Sequence, residues 1–200
     1  MNSRAKGARN ERLWRDELRA NGYLARRGQQ FSGSPDSPDV ICDALPWAHF
    51  EVKLAERLDI YAAIEQARRD SGGRAVFVAH RRNYWPWLVT MDEERFYRLA
   101  QVDQSGRFVE MLAALGPEKA CAQFGWAHCE IHEGRRLNIH EAMAAAKRSA
   151  GKRAALVAHR RPAGQWLITM EAETFFQFLR GTLPPERTGA VRRELSKSKR

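Results

Sequence analysis

Apolar residues at helical spacing predict two helices in the first half of the chain. Over residues 8–21, Trp14 and Leu18 form an apolar stripe, and Gly22 follows where a helix can stop. A second helix is predicted after Asp59, whose side chain can cap its N-terminus. Its apolar positions, at i, i+3, i+4 and i+7, are Ile60, Ala63, Ile64 and Ala67, and Gly72-Gly73 ends it.

Short apolar runs predict the strands of a sheet. Residues 40–42 and 47–52 flank a turn at Leu45-Pro46, which is the pattern of a β-hairpin. Further elements are predicted as strands at residues 23–27, 75–79 and 87–91 and a closing helix at residues 92–100. This order of elements predicts an α/β (α+β) fold.

Part of the chain is duplicated. Three stretches recur at a constant offset of 79 residues, which places Thr169 over Thr90. They are residues 47–49 and 126–128, residues 78–82 and 157–161, and residues 87–91 and 166–170. We call residues 38–91 the first copy and residues 117–170 the second copy. Close to half of their aligned positions are identical without a gap, and chance does not produce such agreement.

The duplication sets the predicted organisation of the chain. Residues 1–101 are predicted to form one domain, and residues 117–181 a partial repeat of its core. Residues 102–116 are predicted to form a helical connector between them. From residue 182 the chain turns Pro-rich and then basic, which predicts a disordered basic tail over residues 182–200.

Charge narrows the class of partner. The 200 residues include 34 Lys and Arg against 24 Asp and Glu, a formal charge of +10. Because such a field attracts polyanions, it favours nucleic acid as the partner. Charge alone is equally typical of ribosomal and membrane-surface proteins, and it does not separate DNA from RNA.

Cysteine usage and hydropathy bear on the compartment. Cys42, Cys121 and Cys129 are too few and too unevenly spaced for a disulfide framework, which favours a reducing cytoplasm. No apolar stretch approaches the roughly 20 residues that span a bilayer, and the first residues lack the apolar core of a signal peptide. We therefore expect a cytoplasmic protein with no membrane partner.

The predicted hairpin brings chemistry-bearing residues together. If it folds symmetrically about Leu45, Asp39 and Glu51 lie directly opposite, with Cβ atoms roughly 4.5–5.5 Å apart. Lys53 shares the face of Glu51, because side chains alternate along a strand. Two carboxylates so close repel each other unless a divalent cation lies between them, and oxygen ligands suit Mg²⁺ or Mn²⁺. A nearby ammonium can orient an attacking water and offset charge on a phosphate.

These residues resemble the signature of the PD-(D/E)xK nuclease superfamily, and their surroundings are most similar to Holliday-junction resolvases of the archaeal and phage type. The resemblance runs from about Gly7 to about His80, under half of the chain. The residues that carry it are Glu11, Gly22-Tyr23, Ser32-Gly33-Ser34, Asp39 and Glu51-Val52-Lys53.

The resemblance implies a restriction-endonuclease-like fold, in which helices flank a mixed central sheet. It also implies a metal-dependent endonuclease that cleaves branched DNA, such as a four-way junction. Mg²⁺ or Mn²⁺ is the implied cofactor, held by Asp39, Glu51 and Glu11, and Lys53 completes the implied catalytic set. It further implies a two-fold dimer in the cytoplasm of a bacterium or of a phage-infected host. For Glu11 the sequence leaves two alternatives, a third acid at the metal site or an exposed glutamate near a helix start.

A further set of residues is predicted to contact DNA. It consists of Arg9, Arg12, Arg26, Arg27, Ser32, Ser34, Gln66, Arg81 and Arg82. For the arginines, solvated basic surface is the alternative. Gln66 follows the motif on the next helix, where related nucleases carry a glutamine that points at the site, although its position lies off the apolar stripe.

The second copy carries altered chemistry. Its aligned residues are Glu118 for Asp39, Glu130 for Glu51 and His132 for Lys53. Because the lysine is lost, we expect this degenerate copy not to cleave. It can extend the sheet, replace a partner subunit as an intramolecular pseudo-dimer, or widen the DNA-binding face, and a homodimer of two-copy chains stays open.

Two rival classes fit the same residues. The first is a repair or restriction-type nuclease of the same fold, which differs in the DNA that it cleaves. The second is a non-catalytic DNA-binding protein that retains the nuclease shell.

Overall fold

The computed structural model describes residues 3–28, 38–100, 114–117, 119–120 and 122–183. Its principal helices are α1 (Ser3–Ala20), α2 (Ile60–Asp70), α3 (Glu93–Leu99), α4 (Ile139–Ala150) and α5 (Ala172–Leu179). Its strands are β1 (Ala25–Arg27), β2 (Val40–Cys42), β3 (Ala48–Leu54), β4 (Ala75–Arg81), β5 (Leu88–Asp92), β6 (Ala127–Glu133), β7 (Ala154–Arg160) and β8 (Leu167–Glu171).

All eight strands form one mixed sheet in the order β1-β2-β3-β4-β5-β8-β7-β6. The pairs β3–β4 and β6–β7 are parallel, and every other neighbouring pair is antiparallel. Each parallel pair is joined through a helix, α2 or α4, as a parallel connection requires. A mixed sheet flanked by helices is the predicted fold class, and it is consistent with a restriction-endonuclease-like fold.

The two copies meet at the centre of the sheet. Strands β5 and β8 pair antiparallel with Thr90 opposite Thr169, and these two residues occupy equivalent positions in the duplication. A local two-fold axis therefore passes between them and relates the copies. Three roles were predicted for the second copy. The strand order shows one of them, because the strands of the second copy extend the sheet.

Core packing also interlocks the copies. Leu88, from the first copy, lies in the apolar cluster beneath α4, whereas its equivalent Leu167 lies in the cluster beneath α2. The opposite face of the sheet is covered by α1, α3 and α5, which share one large aromatic core. There Trp14 contacts Phe50, Trp87 and Phe176 at ring-centroid distances of 5.8, 5.3 and 5.9 Å.

The helix predictions of the first copy are confirmed. The Asp59 carboxylate accepts a hydrogen bond from Ala62 N at 3.1 Å, and the four predicted stripe residues of α2 are buried. In the second copy, α4 buries the equivalent stripe and ends at Gly151, whose φ of 62° is accessible to glycine. Asn138 occupies the N-cap position of α4 without a capping hydrogen bond from its side chain.

The largest differences from the sequence predictions lie at the start of α1 and at the start of the second copy. Helix α1 begins at Ser3, ahead of residue 8, because residues 3–7 include no large apolar side chain and so leave no mark in an apolar pattern. The second copy aligns back to Pro117, but residues 114–117, 119, 120 and 122 are helical. This segment replaces the β-branched residues of β2 with Lys and Ala, which favour helix. Most of the predicted connector and tail lies outside the described residues.

Candidate active site

The hairpin of β2 and β3 has the predicted register. Val40 pairs with Phe50, which sets Asp39 opposite Glu51. The Asp39 carboxylate accepts a hydrogen bond from the backbone N–H of Val52 at 2.8 Å, so it is fixed against β3. Residues twelve positions apart along the chain thus become direct neighbours.

Glu51 and Lys53 lie on the same face of β3, as strand alternation predicts. Lys53 Nζ is 2.6 Å from Glu51 Oε1, and the Glu51 side chain is only 7 % exposed. Lys53 Nζ also donates to Gln66 Oε1 of α2 at 3.1 Å. The ammonium is therefore held between two oxygen acceptors from different elements, and its orientation does not depend on the strand alone.

Asp39 is the electrostatically perturbed group of the site. Its pKa is raised to about 7, first by burial and then by the negative charges of Glu51 and Glu11. The hydrogen bond from Val52 and the charge of Lys53 oppose this rise without cancelling it. Near neutral pH the site therefore exchanges a proton at Asp39, and a cation that replaced this proton would relieve the repulsion.

Glu11 reaches the site from α1. Its side chain is buried and forms an ion pair with Arg27 of β1. The alternative of an exposed glutamate near a helix start is therefore wrong. Among the described residues, no group of three or more His, Cys, Asp or Glu side chains is arranged to hold a metal ion. Glu11 acts on Asp39 through its charge while bound to Arg27.

The Asp39–Glu51 pair fits a hard divalent cation. Its donors are carboxylate oxygens, which Mg²⁺ and Mn²⁺ prefer. Burial and the charge of Glu51 raise the pKa of Asp39, and the charge of Lys53 only partly opposes this rise. Asp39 and Glu51 are thus the residues that would hold the ion, with Glu11 as the third acid in their field.

The arginines predicted to contact DNA have several different environments. Arg9 and Arg12 are exposed on α1, and Arg12 Nε donates to Ala8 O at 3.0 Å. Arg26 Nε lies 3.8 Å from Asp43 Oδ1, whereas Arg27 forms an ion pair with Glu11.

The remaining predicted DNA contacts lie on other elements. The guanidinium groups of Arg81 and Arg82 stack over Trp87 and Trp85, at 4.7 and 5.2 Å from the ring centroids. Ser32 and Ser34 lie outside the described residues.

The equivalent site of the second copy lacks most of these features. His132 Nε2 lies 3.6 Å from Glu130 Oε2, in place of the lysine–glutamate contact. The position equivalent to Gln66 is Ala145, so both partners of the Lys53–Gln66 hydrogen bond are absent together. Glu118 lies outside the described residues.

Local sequence patterns did not predict two contacts of the site, Gln66 with Lys53 and Arg27 with Glu11. Gln66 is off the apolar stripe of α2, yet it accepts a hydrogen bond from Lys53, because α2 packs against β3. Arg27 is the counter-ion of Glu11 across the α1–β1 contact, which no local spacing encodes. A signal for Gln66 existed in the duplication, since glutamine and lysine are lost from the second copy together.

Comparisons with known proteins add little. No protein-family model and no curated protein matches this chain. Among solved structures the chain is similar to Hjc, a Holliday junction resolvase from the archaeal hyperthermophile Archaeoglobus fulgidus, at 26 % identity. The match covers 42 % of this chain and 70 % of that one, with a TM-score of 0.31. At that TM-score the similarity carries no weight for function. No helix in the described ranges has the length and apolarity to cross a membrane.

Proposed function

We propose that this chain is a metal-dependent DNA endonuclease of the PD-(D/E)xK type, and that branched DNA is its substrate class. The observation that supports it best is the contact of Lys53 Nζ with Glu51 Oε1 at 2.6 Å, beside Asp39 across the hairpin. The preference for branched DNA follows from the sequence resemblance alone.

Each residue of the site has a role in phosphodiester hydrolysis. Asp39 and Glu51 would hold Mg²⁺ or Mn²⁺, and the ion would supply Lewis-acid chemistry toward the scissile phosphate and a water. Lys53, oriented by Gln66, binds the attacking water and offsets the negative charge that develops on the phosphate. Glu11 strengthens the negative field at Asp39.

The charge of the whole chain supports a nucleic-acid substrate. A net charge of +10 raises the encounter rate with a polyanion, whereas the buried acids create a local negative site within that field. Such a site admits a phosphate only when a divalent cation is present. We therefore expect DNA binding to depend on the overall positive charge, and DNA cleavage to depend on the divalent cation.

The test is cleavage of a four-way junction, a flap, a mismatched duplex and a linear duplex in Mg²⁺. Lys53→Ala is expected to lose cleavage by about 10²-fold or more and to keep its DNA affinity, because it removes a group that acts on the reacting phosphate. His132→Ala, at the equivalent position of the second copy, is the matched control and should change neither. Equal rates on all four DNAs would remove the preference for branched substrates.

A protein that bound DNA tightly but cleaved none of these substrates, with Asp39, Glu51 and Lys53 intact, would be a non-catalytic DNA-binding protein. That result would contradict the proposed activity.

A further inference from the structure

A cleft lies between the N-termini of α2 and α4. It has a volume of about 650 Å³ and is lined by residues 55–61, 82, 135–141 and 161. These ranges come from both copies, and most of them are equivalent in the duplication. The cleft therefore straddles the two-fold relation of the copies, and the catalytic candidates Glu51 and Lys53 are not part of its lining.

Arginines dominate the lining of this cleft. They are Arg57, Arg82, Arg135, Arg136 and Arg161, and three acids, Glu56, Asp59 and Glu141, accompany them. Two arginines are engaged: Arg161 Nη2 lies 2.6 Å from Asp59 Oδ2, and Arg82 Nε lies 3.5 Å from Glu56 Oε2. Within the described part of the chain, Arg57, Arg135 and Arg136 are exposed and form no ion pair. The cleft thus has positive charge left over for a ligand.

Backbone and side-chain donors add to this charge. Helix α4 has 12 residues, and its N-terminus presents partial positive charge at the cleft, because Asn138 makes no capping hydrogen bond there. The N-terminus of α2 is already capped by the Asp59 carboxylate. His140, in the first turn of α4, lines the cleft and is 4 % exposed. Its Nδ1 has no hydrogen-bond partner among the described residues, so a buried polar atom beside the N-terminus of α4 is left unsatisfied.

The two copies differ in this loop. Residues 55–59 read AERLD, whereas the equivalent residues 134–138 read GRRLN. Arginine thus stands at 135 where the first copy has Glu56, and a neutral asparagine stands where it has Asp59. The copy without the catalytic lysine carries the more basic loop, which indicates a binding role rather than catalysis.

We propose that this cleft binds phosphate groups, and that Arg135 and Arg136 of the second copy are its principal ligands. Guanidinium groups suit phosphate oxygens because they donate two hydrogen bonds in one plane. The source of phosphate is a DNA strand, and this part of the inference rests on the proposed function. The phosphate chemistry itself does not.

The experiment measures binding of the full chain to a labelled DNA duplex by fluorescence anisotropy, in EDTA so that cleavage plays no part. Arg135→Ala/Arg136→Ala is compared with Arg69→Ala/Arg148→Ala. The control pair removes the same charge from the exposed C-terminal turns of α2 and α4, at equivalent positions. A second titration uses inorganic pyrophosphate alone.

The cleft variant is expected to lose DNA affinity at least about tenfold at 0.1 M salt, and its slope of log K against log salt should fall by about one to two. The control should lose much less. Loss of pyrophosphate binding alone would support the phosphate site but assign it to a free oligophosphate. If the cleft variant matches the wild type for both ligands, or loses no more than the control, the proposal is overturned. Cleavage by the wild type is scored separately, so failure of the cleft and failure of the nuclease are distinguishable.

Discussion

Thr90 Oγ1 lies 2.6 Å from Thr169 Oγ1 at the centre of the sheet, and both side chains are fully buried. His80 Nε2 lies 2.8 Å from the first hydroxyl, and His159 Nε2 lies 2.9 Å from the second. Three hydrogen bonds need three protons, whereas two hydroxyl groups supply two. At least one histidine therefore donates from Nε2, and the seam between the copies is a continuous polar chain in an apolar surrounding.

Replacing either threonine of this chain is expected to weaken the fold. Thr90→Val or Thr169→Val leaves one buried histidine nitrogen without its partner and the other hydroxyl with one partner fewer, which costs about 1–3 kcal/mol. The double variant should cost less than the sum of the single variants, because both act on one shared hydrogen bond. Urea denaturation measures the free energy of unfolding, and Ser149→Ala on the exposed surface of α4 is the control. Strict additivity would contradict the coupling across the seam.

Acid is expected to destabilise the protein. Burial lowers the pKa of His49 and His140 to about 4 and of His159 to about 3, and lowers that of His80 well below its usual value. Above about pH 6.5 these rings are neutral in both states and the stability is complete. As the pH falls below 6.5, these histidines bind protons in the unfolded chain but not in the folded chain. The free energy of unfolding therefore decreases until the pH reaches the folded pKa values.

Each of these histidines changes the free energy of unfolding by up to about 1.4 kcal/mol per pH unit. Asp39 acts in the opposite direction, because its folded pKa of about 7 lies above its unfolded value, and its contribution is lost as the pH rises towards 7. Urea denaturation at pH 7.5, 6 and 5 separates the two effects. A free energy of unfolding that rose steadily from pH 7.5 to pH 5 would show that the histidines are not buried as described.

Asp39→Asn is expected to trade activity for stability. The substitution removes a buried charge that is repelled by Glu51 and Glu11, and asparagine can still accept the hydrogen bond from Val52. In EDTA at pH 8 the variant should be more stable by about 1–3 kcal/mol, and it should lose cleavage. Mg²⁺ should raise the melting temperature of the wild type and leave that of the variant unchanged. A variant less stable than the wild type in EDTA would argue against electrostatic repulsion at the site.

Gln66→Ala is expected to slow cleavage without weakening DNA binding. Gln66 orients the Lys53 ammonium, so its loss should lower kcat about tenfold, with little change in KM. Ala145→Gln, which places the same side chain at the equivalent position of the second copy, should not alter the rate. A variant whose KM rises while its kcat is unchanged would instead place Gln66 among the DNA contacts.

Local patterns predicted much of this fold. The turn at Leu45-Pro46 fixed the register that sets Asp39 opposite Glu51, because a hairpin has little freedom once its turn is known. The capping residue Asp59 and the apolar stripe behind it located α2 for the same local reason.

Contacts between distant parts of the chain could not be predicted from local sequence patterns. The pairing of β5 with β8 joins strands far apart in the chain, and no periodicity specifies it. The contact of Gln66 with Lys53 depends on how α2 crosses the sheet. Alignment of the copies did not predict the structure near residue 119. Residues 119 and 120 are helical, whereas the aligned residues of the first copy lie in β2.

The most direct measurement is the anomalous scattering of a crystal soaked in Mn²⁺. We expect a peak between the carboxylates of Asp39 and Glu51, and no such peak in Asp39→Asn crystals. A soaked wild-type crystal with no peak between these two side chains, or with manganese at Glu130 and His132 instead, would contradict this expectation.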